Sequence, residues 1–597
     1  MYTNRKILSL LLCLTMALCL MAGGLSAFAD GTSAKAGEYT ATAAGRNGDV
    51  TVTVTFSDTA IEDIHVVEEE TETIGSAAIL TMSAQTVAEQ TLQPDVVSGA
   101  TISGSAFLTA LADIAKQAEA IGFSTDDAST PPAVSYDVTE ADVIVVGAGG
   151  AGMTAAFTLL DQGASVILLE KSGVVGGNSL CSQMGINAAG AKVQEELGME
   201  YAVPELLKEA QMNYGGRENL VDAYVAASGE TVDFLHDKLG VEFESGQNPG
   251  GHGPGVDPEN PLASVLTDHP SGSDLFMVKA QADGYTSLTL VNALSKALEE
   301  AGVVLYKNTE ARSLIVDESG RVCGVKATAA DGSEVEFAGK AVLLATGGFG
   351  QNHEMLVGVR PDFANAITDE MAPTTGDGIR MAQELGAKTV DLSEMQTFPH
   401  VPYGDTWMAP MAIPGGFRTT AIFVNQDAQR YTTEGFETAD DTLQQESAYC
   451  IFNEEDLNDN LNQLIGRGIV KSGETAAELA EALGLDADAL QATIDQWNAD
   501  CAAGADSQFH NESLKPLEGK LYGYRFGVGA HYMMGGLLIN ENTQVLNESE
   551  EVIPGLYAAG ETTGGFHGTV RIDGSGTGDA FIFGHLAGEK IAEEVLG

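Results

Sequence analysis

Apolar and polar residues alternate strictly along Val50-Thr51-Val52-Thr53-Val54-Thr55-Phe56, which predicts a strand with one buried face. A second strand is predicted around Ile61 to Glu68, and from Ser103 to Ala120 the apolar spacing turns helical. Phe123 to Tyr136 is rich in Ser, Thr, Asp and Pro and reads as a linker. Beyond it the pattern changes to short, wholly apolar runs between helices. Asp142 to Val146 is followed by a glycine turn and a helix to Gln162, and Ser165 to Leu169 is the next run. Gly555 to Ala559 is another, followed by Gly-rich turns and a last helix from about Gly578. Strands alternating with helices predict a parallel sheet. Leu392 to Arg525 breaks this pattern with more helix signals and more acidic residues, and reads as an inserted cap.

At the N-terminus, Arg5 and Lys6 precede an apolar run from Ile7 to Met21, and Ala27-Phe28-Ala29 stands before Asp30. This is the form of a secretory signal peptide, and the run is short for a membrane span of about 20 residues. An uncleaved N-terminal anchor is the alternative. The chain then divides into a signal peptide at 1–29, a small unit at 37–121, a linker at 122–140, a nucleotide-binding domain at 141–391 and 527–597, and a cap at 392–526. The expected class is α/β: a Rossmann-like domain with an inserted α+β cap, preceded by a small α+β domain. The expected location is outside the cytoplasm (extracellular, cell-surface or periplasmic), soluble after signal cleavage.

A formal net charge of −56 argues against nucleic acid as a partner, since a polyanion releases no counterions from phosphates. After signal removal four scattered cysteines remain, Cys181, Cys323, Cys450 and Cys501. With no C-x-x-C or C-x-x-C-H, neither an attached haem nor a cluster is expected, and no metal site.

The glycine turn is Gly147-Ala148-Gly149-Gly150-Ala151-Gly152, and Glu170 ends the next strand. This is the dinucleotide fingerprint: Gly147 for the tight turn, Gly149 for approach to a pyrophosphate, Gly152 for helix–strand packing. The helix N-terminus offers N–H groups to phosphates, and Glu170 can accept from ribose hydroxyls. A Gly-rich turn that binds nothing is the alternative.

Gly176-Gly177-Asn178-Ser179, Ala345-Thr346-Gly347-Gly348, Thr375-Gly376-Asp377-Gly378, Gly535-Gly536, Ile553 to Glu561, His567-Gly568 and Arg571 follow in that order. Together they resemble the soluble fumarate and urocanate reductase flavoproteins over nearly all of 140–597. The resemblance implies non-covalent FAD, with Glu170 at the adenosine end, Asn178 and Ser179 along the pyrophosphate and flavin, and Glu561 on the ribityl chain. It also implies that Ala148, Lys171, Gly177, Met184, Gly185, Ala311, Thr346, Gly347, Gly348, Asp377, Gly560 and Arg571 line the cofactor site.

Ser98-Gly99-Ala100-Thr101, after Asp95, resembles the domain in which a threonine is joined to FMN by a phosphodiester bond. Thr101 is the matching residue, and an exported flavin transferase is the implied maturation partner. A solvent-exposed threonine in an ordinary turn is the alternative. FMN would pass electrons to FAD where related reductases use haem.

The resemblance further implies hydride transfer to an activated alkene, with Arg571 holding a substrate carboxylate and an acid protonating the α-carbon. An Arg571 ion-paired to Asp573 or Asp579 is the structural alternative. The chain departs from the family at three places. Tyr532 follows His531 where the family has a second histidine, Phe398 stands in place of a substrate histidine, and Thr438 falls at the acid arginine. The candidate replacement acids are Tyr532, Tyr522, His531, His400 and Arg418. These departures favour a small unsaturated acid other than fumarate. An apolar enone such as a steroid, or a non-catalytic electron carrier, are the competing readings. A membrane-associated redox system is the expected electron donor.

Overall fold

The structure is a computed structural model. It describes residues 34–44, 49–68, parts of 79–94, 101–118, 120, 136–182, 185–246, 260–266, 275–281, 286–329, 331–368, 370–403, 414, 420–434, 438–466 and 468–597. The signal-like segment, most of the linker, Met184 and Arg418 lie outside the described residues, as does the side chain of Thr101.

The small unit is an antiparallel meander of Gly37–Ala44, Asp49–Phe56 and Ile61–Val67, with a helix over Thr101–Gln117. The alternation works as expected: Val50, Val52, Val54 and Phe56 are buried with Phe107, Leu111 and Ile114 of the helix. On the opposite face, paired threonines bridge the strands, Thr40 to Thr53 and Thr42 to Thr51, each at 2.9 Å. Thr101 is the first residue of the helix, two positions earlier than the apolar spacing suggested.

The main sheet has six strands in the order Gln544–Leu546, Val552–Ala558, Ala341–Leu344, Val143–Val146, Val166–Leu169, Val304–Tyr306. All neighbours run parallel except the first pair. Val143 to Val146 are all buried because the sheet is covered on both faces, which is why an unbroken apolar run codes for this strand. Gly150–Asp161 and the final helix Ser575–Leu596 pack on each other, and Gly584 and Gly588 allow the close approach to Ala151 and Thr158.

Residues 395–533 hold more strand than the helical signals suggested. Ile367–Thr368, Leu521–Met533, Ala448–Asn453 and Ile422–Asn425 form one sheet, and Met395–Pro402 and Lys471–Gly473 also pair with Leu521–Met533. Short apolar runs such as Cys450 to Phe452 do not by themselves separate a buried strand from a helix. Helices Ala476–Leu483 and Ala487–Ala503 cover this sheet. A buried cluster ties it together: Arg430 donates to Glu434 at 2.6 and 2.7 Å and to Asp506 at 2.9 and 3.0 Å, with its guanidinium over Trp497. The 13-residue strand Leu521–Met533 connects this layer to the cofactor domain and ends at the candidate site.

Candidate active site

The fingerprint turn is shaped for close backbone approach. Gly147 has φ +102°, and a side chain there would strike the Ala345 carbonyl. A Cβ at Gly152 would strike the carbonyl oxygen of Gly147. At Gly149 a Cβ would meet only the Gly176 oxygen, at 3.8 Å, so bare backbone faces open space. The helix Gly150–Asp161 begins there with its unpaired N–H groups and partial positive charge. Ser179 Oγ accepts one of these, Gly150 N–H, at 3.2 Å. Glu170 is buried, and its carboxylate accepts from Ala148 N at 2.9 Å and Ser172 N at 2.8 Å. Burial pushes its carboxyl up, against those bonds. Each carboxylate oxygen keeps a lone pair for a ribose hydroxyl.

Lys171 Nζ donates to Thr375 Oγ1 and Asp377 Oδ2, both at 2.6 Å, and so ties this strand end to the later Gly-rich turn. Asn178 Nδ2 donates to Glu561 Oε2 at 3.1 Å, and Asn178 Oδ1 accepts from Met371 N at 2.9 Å. Met533 N donates to Glu561 Oε1 at 2.9 Å. Burial pushes the Glu561 carboxyl up, against the hydrogen bonds from Met533 and Asn178, and the Glu370 carboxyl lies beside it. Both glutamates are buried. Glu370 had no signal in the sequence, because it meets Glu561 only through the fold. Thr346 Oγ1 lies 3.4 Å from Thr562 Oγ1, and Gly347, Gly177 and Gly560 turn at φ +73°, +50° and +71°. Gly348 leaves room for Glu561 Oε1, Gly185 lies against Val278, and Ala311 is buried in the Thr309–Val316 strand.

Arg571 stands at the other end of the site. Its Nε donates to Gln396 Oε1 at 2.6 Å, Nη2 donates to the same oxygen, and its guanidinium lies 4.7 Å from the Tyr532 ring centre. Among the described residues it makes no ion pair with Asp573 or Asp579. Gln396 pairs with Tyr532 across the strands, but Thr397 pairs with Ala530, so His531 is the extra residue of a β-bulge. Such a bulge re-aims side chains, and the His531 ring packs at a 56° tilt against Phe398 with ring centres 4.1 Å apart. The Tyr532 hydroxyl donates to Asp579 Oδ2 at 2.6 Å.

Thr438, at the position of the family's acid, lies 3.2 Å from His400 Nε2. Burial among Phe423 and Phe526 pushes His400 down to about 3, so the ring is neutral. Tyr522 donates to Glu454 at 3.2 Å and sits ten residues before Tyr532 on the same strand, roughly 30 Å away at strand rise. The fold therefore does not bring the two tyrosines together. No role for Gln396 was legible in the sequence; its position two residues from Phe398, on the same strand face, was the available clue.

A family model described as the FAD binding domain matches residues 142–577, and one described as the FMN-binding domain matches 45–116. The chain belongs to the FAD-binding flavoprotein family of the urocanate and fumarate reductases. It is 33% identical over 583 residues to urocanate reductase of Eggerthella lenta, covering 93% of this chain and 92% of that one. It is 30% identical to NADH:acrylate oxidoreductase of Vibrio harveyi, over 94% of this chain but only 61% of that longer protein. Among solved structures, the open conformation of a flavocytochrome c3 fumarate reductase superposes with a TM-score of 0.67 at 29% identity, over 77% of this chain and 79% of the other. The cradle of this flavoprotein fits the cofactor that the family implies. Gly149 and Gly347 present bare backbone, the first helix points its N–H groups at the gap, and Glu170 and Glu561 flank the two ends.

Proposed function

We propose that this flavoprotein reduces the carbon–carbon double bond of a small unsaturated organic acid, with Arg571 holding the carboxylate. One observation carries the reading: Arg571 is a 9% exposed planar cation without an ion-pair partner among the described residues, held beside the Tyr532–Met533 end of the cofactor cradle. A buried cation without a counter-charge is costly, and a carboxylate ligand supplies the charge and matches the guanidinium fork. When bound in its reduced form, FAD would supply the hydride for the β-carbon and be reoxidised, while a proton completes the α-carbon, so two electrons are consumed per double bond. Arg571 would draw electron density from the alkene through the carboxylate it holds.

The opposite side of the site supports an acid whose far end is apolar or flat. Phe398 packs at a tilt against His531, and the Thr438–His400 pair bears no charge. Thr101, in this reading, carries the FMN through which electrons reach the FAD domain. The signal-like segment supports a mature chain outside the cytoplasm, which a membrane-associated donor would serve and an exported flavin transferase would mature.

The test is stopped-flow reoxidation of the doubly reduced holoprotein by unsaturated acids and neutral enones, with Arg571→Met alongside. Rapid reoxidation by an acid, lost in the variant, is the expected result. Reoxidation only by neutral enones would move the assignment to a ketone-polarising site. No reoxidation by any compound would leave an electron carrier.

A further inference from the structure

Arg571 is held from three sides. Gln396 Oε1 closes its Nε edge, the Tyr532 ring lies against its face, and Gly576 stands against Nη1, where any side chain would collide. The Tyr532 hydroxyl is held in turn. It donates to Asp579 Oδ2 at 2.6 Å, and His567 Nε2 lies 3.4 Å from the hydroxyl and 3.6 Å from the same carboxylate oxygen. The His567 ring stands perpendicular to Tyr532, with centres 5.3 Å apart. Asp579 and His567 are both 2% exposed, and burial pushes His567 below its ordinary value. The hydroxyl proton is therefore committed to Asp579, and the ring face is what Tyr532 presents to the site.

We propose that Asp579 and His567, acting through Tyr532, are positioning residues for the arginine that binds the substrate carboxylate. This rests on the reading of Arg571 given above. A carboxylate that accepts from a phenol polarises the O–H bond and makes the ring more electron-rich, which strengthens its attraction for a guanidinium over its face. The same bond fixes the ring tilt, and the ring fixes the plane in which the Arg571 fork meets a carboxylate. Gly576 is part of the device, since a Cβ there would lie 2.9 Å from Tyr532 Cε2 as well as against Arg571. The resulting chain is Asp579, Tyr532, Arg571, Gln396, drawn from the final helix, one strand, the turn before that helix, and a second strand.

The experiment uses the flavin-loaded protein with its arginine side chains labelled with 15N at Nε. The Arg571 signal is identified as the one missing in Arg571→Met. In the wild type it should be ring-shifted and slow to exchange with water. Tyr532→Phe, which keeps the ring but frees it from Asp579, and Asp579→Asn, which keeps the shape but removes the charge, should both move the signal and speed its exchange. Steady-state assays with urocanate, fumarate and acrylate and a reduced viologen donor give the second readout. KM should rise roughly tenfold in both variants, with kcat changed much less. An unmoved Arg571 signal in the variants overturns the proposal, and if one variant does not fold the other decides. Wild-type turnover of an acid that persists in Arg571→Met overturns the carboxylate reading instead, while the signal still reports on positioning.

Discussion

Gln396 closes the Nε edge of Arg571. Its side-chain oxygen accepts from Nε at 2.6 Å and from Nη2, so a neutral amide holds that edge and leaves the Nη1 side, which Gly576 keeps clear, for a substrate carboxylate. Replacing it with a carboxylate converts this contact into an ion pair. Gln396→Glu should weaken binding of unsaturated acids by about 100-fold, because a carboxylate at the Nε edge neutralises the cation and repels the incoming anion. Equilibrium titration of the holoprotein with an acid substrate checks this, and unchanged affinity would show that Gln396 is not at the carboxylate site.

Gly152 packs against the Gly147 carbonyl with no space for a methyl group. Gly152→Ala should push the first helix away from the turn and abolish FAD retention, with a stability loss on the order of 1–3 kcal/mol from overpacking. The absorbance ratio of FAD to protein after gel filtration reports it. A variant that keeps a full complement of FAD would contradict this reading of the turn.

Thr101 begins the helix of the small unit, which belongs to the FMN-binding family. Thr101→Ala, expressed with the maturation machinery, should lose the mass of one attached FMN while keeping FAD. Denaturing mass spectrometry separates the two outcomes, and flavin still attached to the variant would place the link at another residue.

His400 is buried and neutral, with burial pushing it down from 6.5 to about 3. A histidine with a depressed folded value stabilises the fold above its unfolded value and loses that contribution as pH falls. From about pH 6.5 down to about pH 3 the wild type should lose about 1.4 kcal/mol per pH unit relative to His400→Gln. Above pH 7 the difference between the two should be constant. Melting curves across pH test this, and parallel curves below pH 6 would mean that the ring is already charged.

What could be read from the chain was local. The alternation at 50–56, the apolar run at 143–146 and the strand–glycine–helix turn lie where the pattern placed them, because a strand face or a tight turn is dictated by near neighbours. Glu170 was visible for the same reason, at the end of a recognisable strand. Only the tertiary structure brought Gln396 to Arg571, Glu370 to Glu561 and Asp579 to Tyr532, and only it set Tyr522 apart from Tyr532. Those contacts depend on strand register and on the bulge at His531, and a slip of one residue turns every side chain to the opposite face. No local spacing encodes that choice, since it is settled by burying the apolar faces of segments far apart in the chain, 47 residues for Tyr532 and Asp579 and 175 for Gln396 and Arg571.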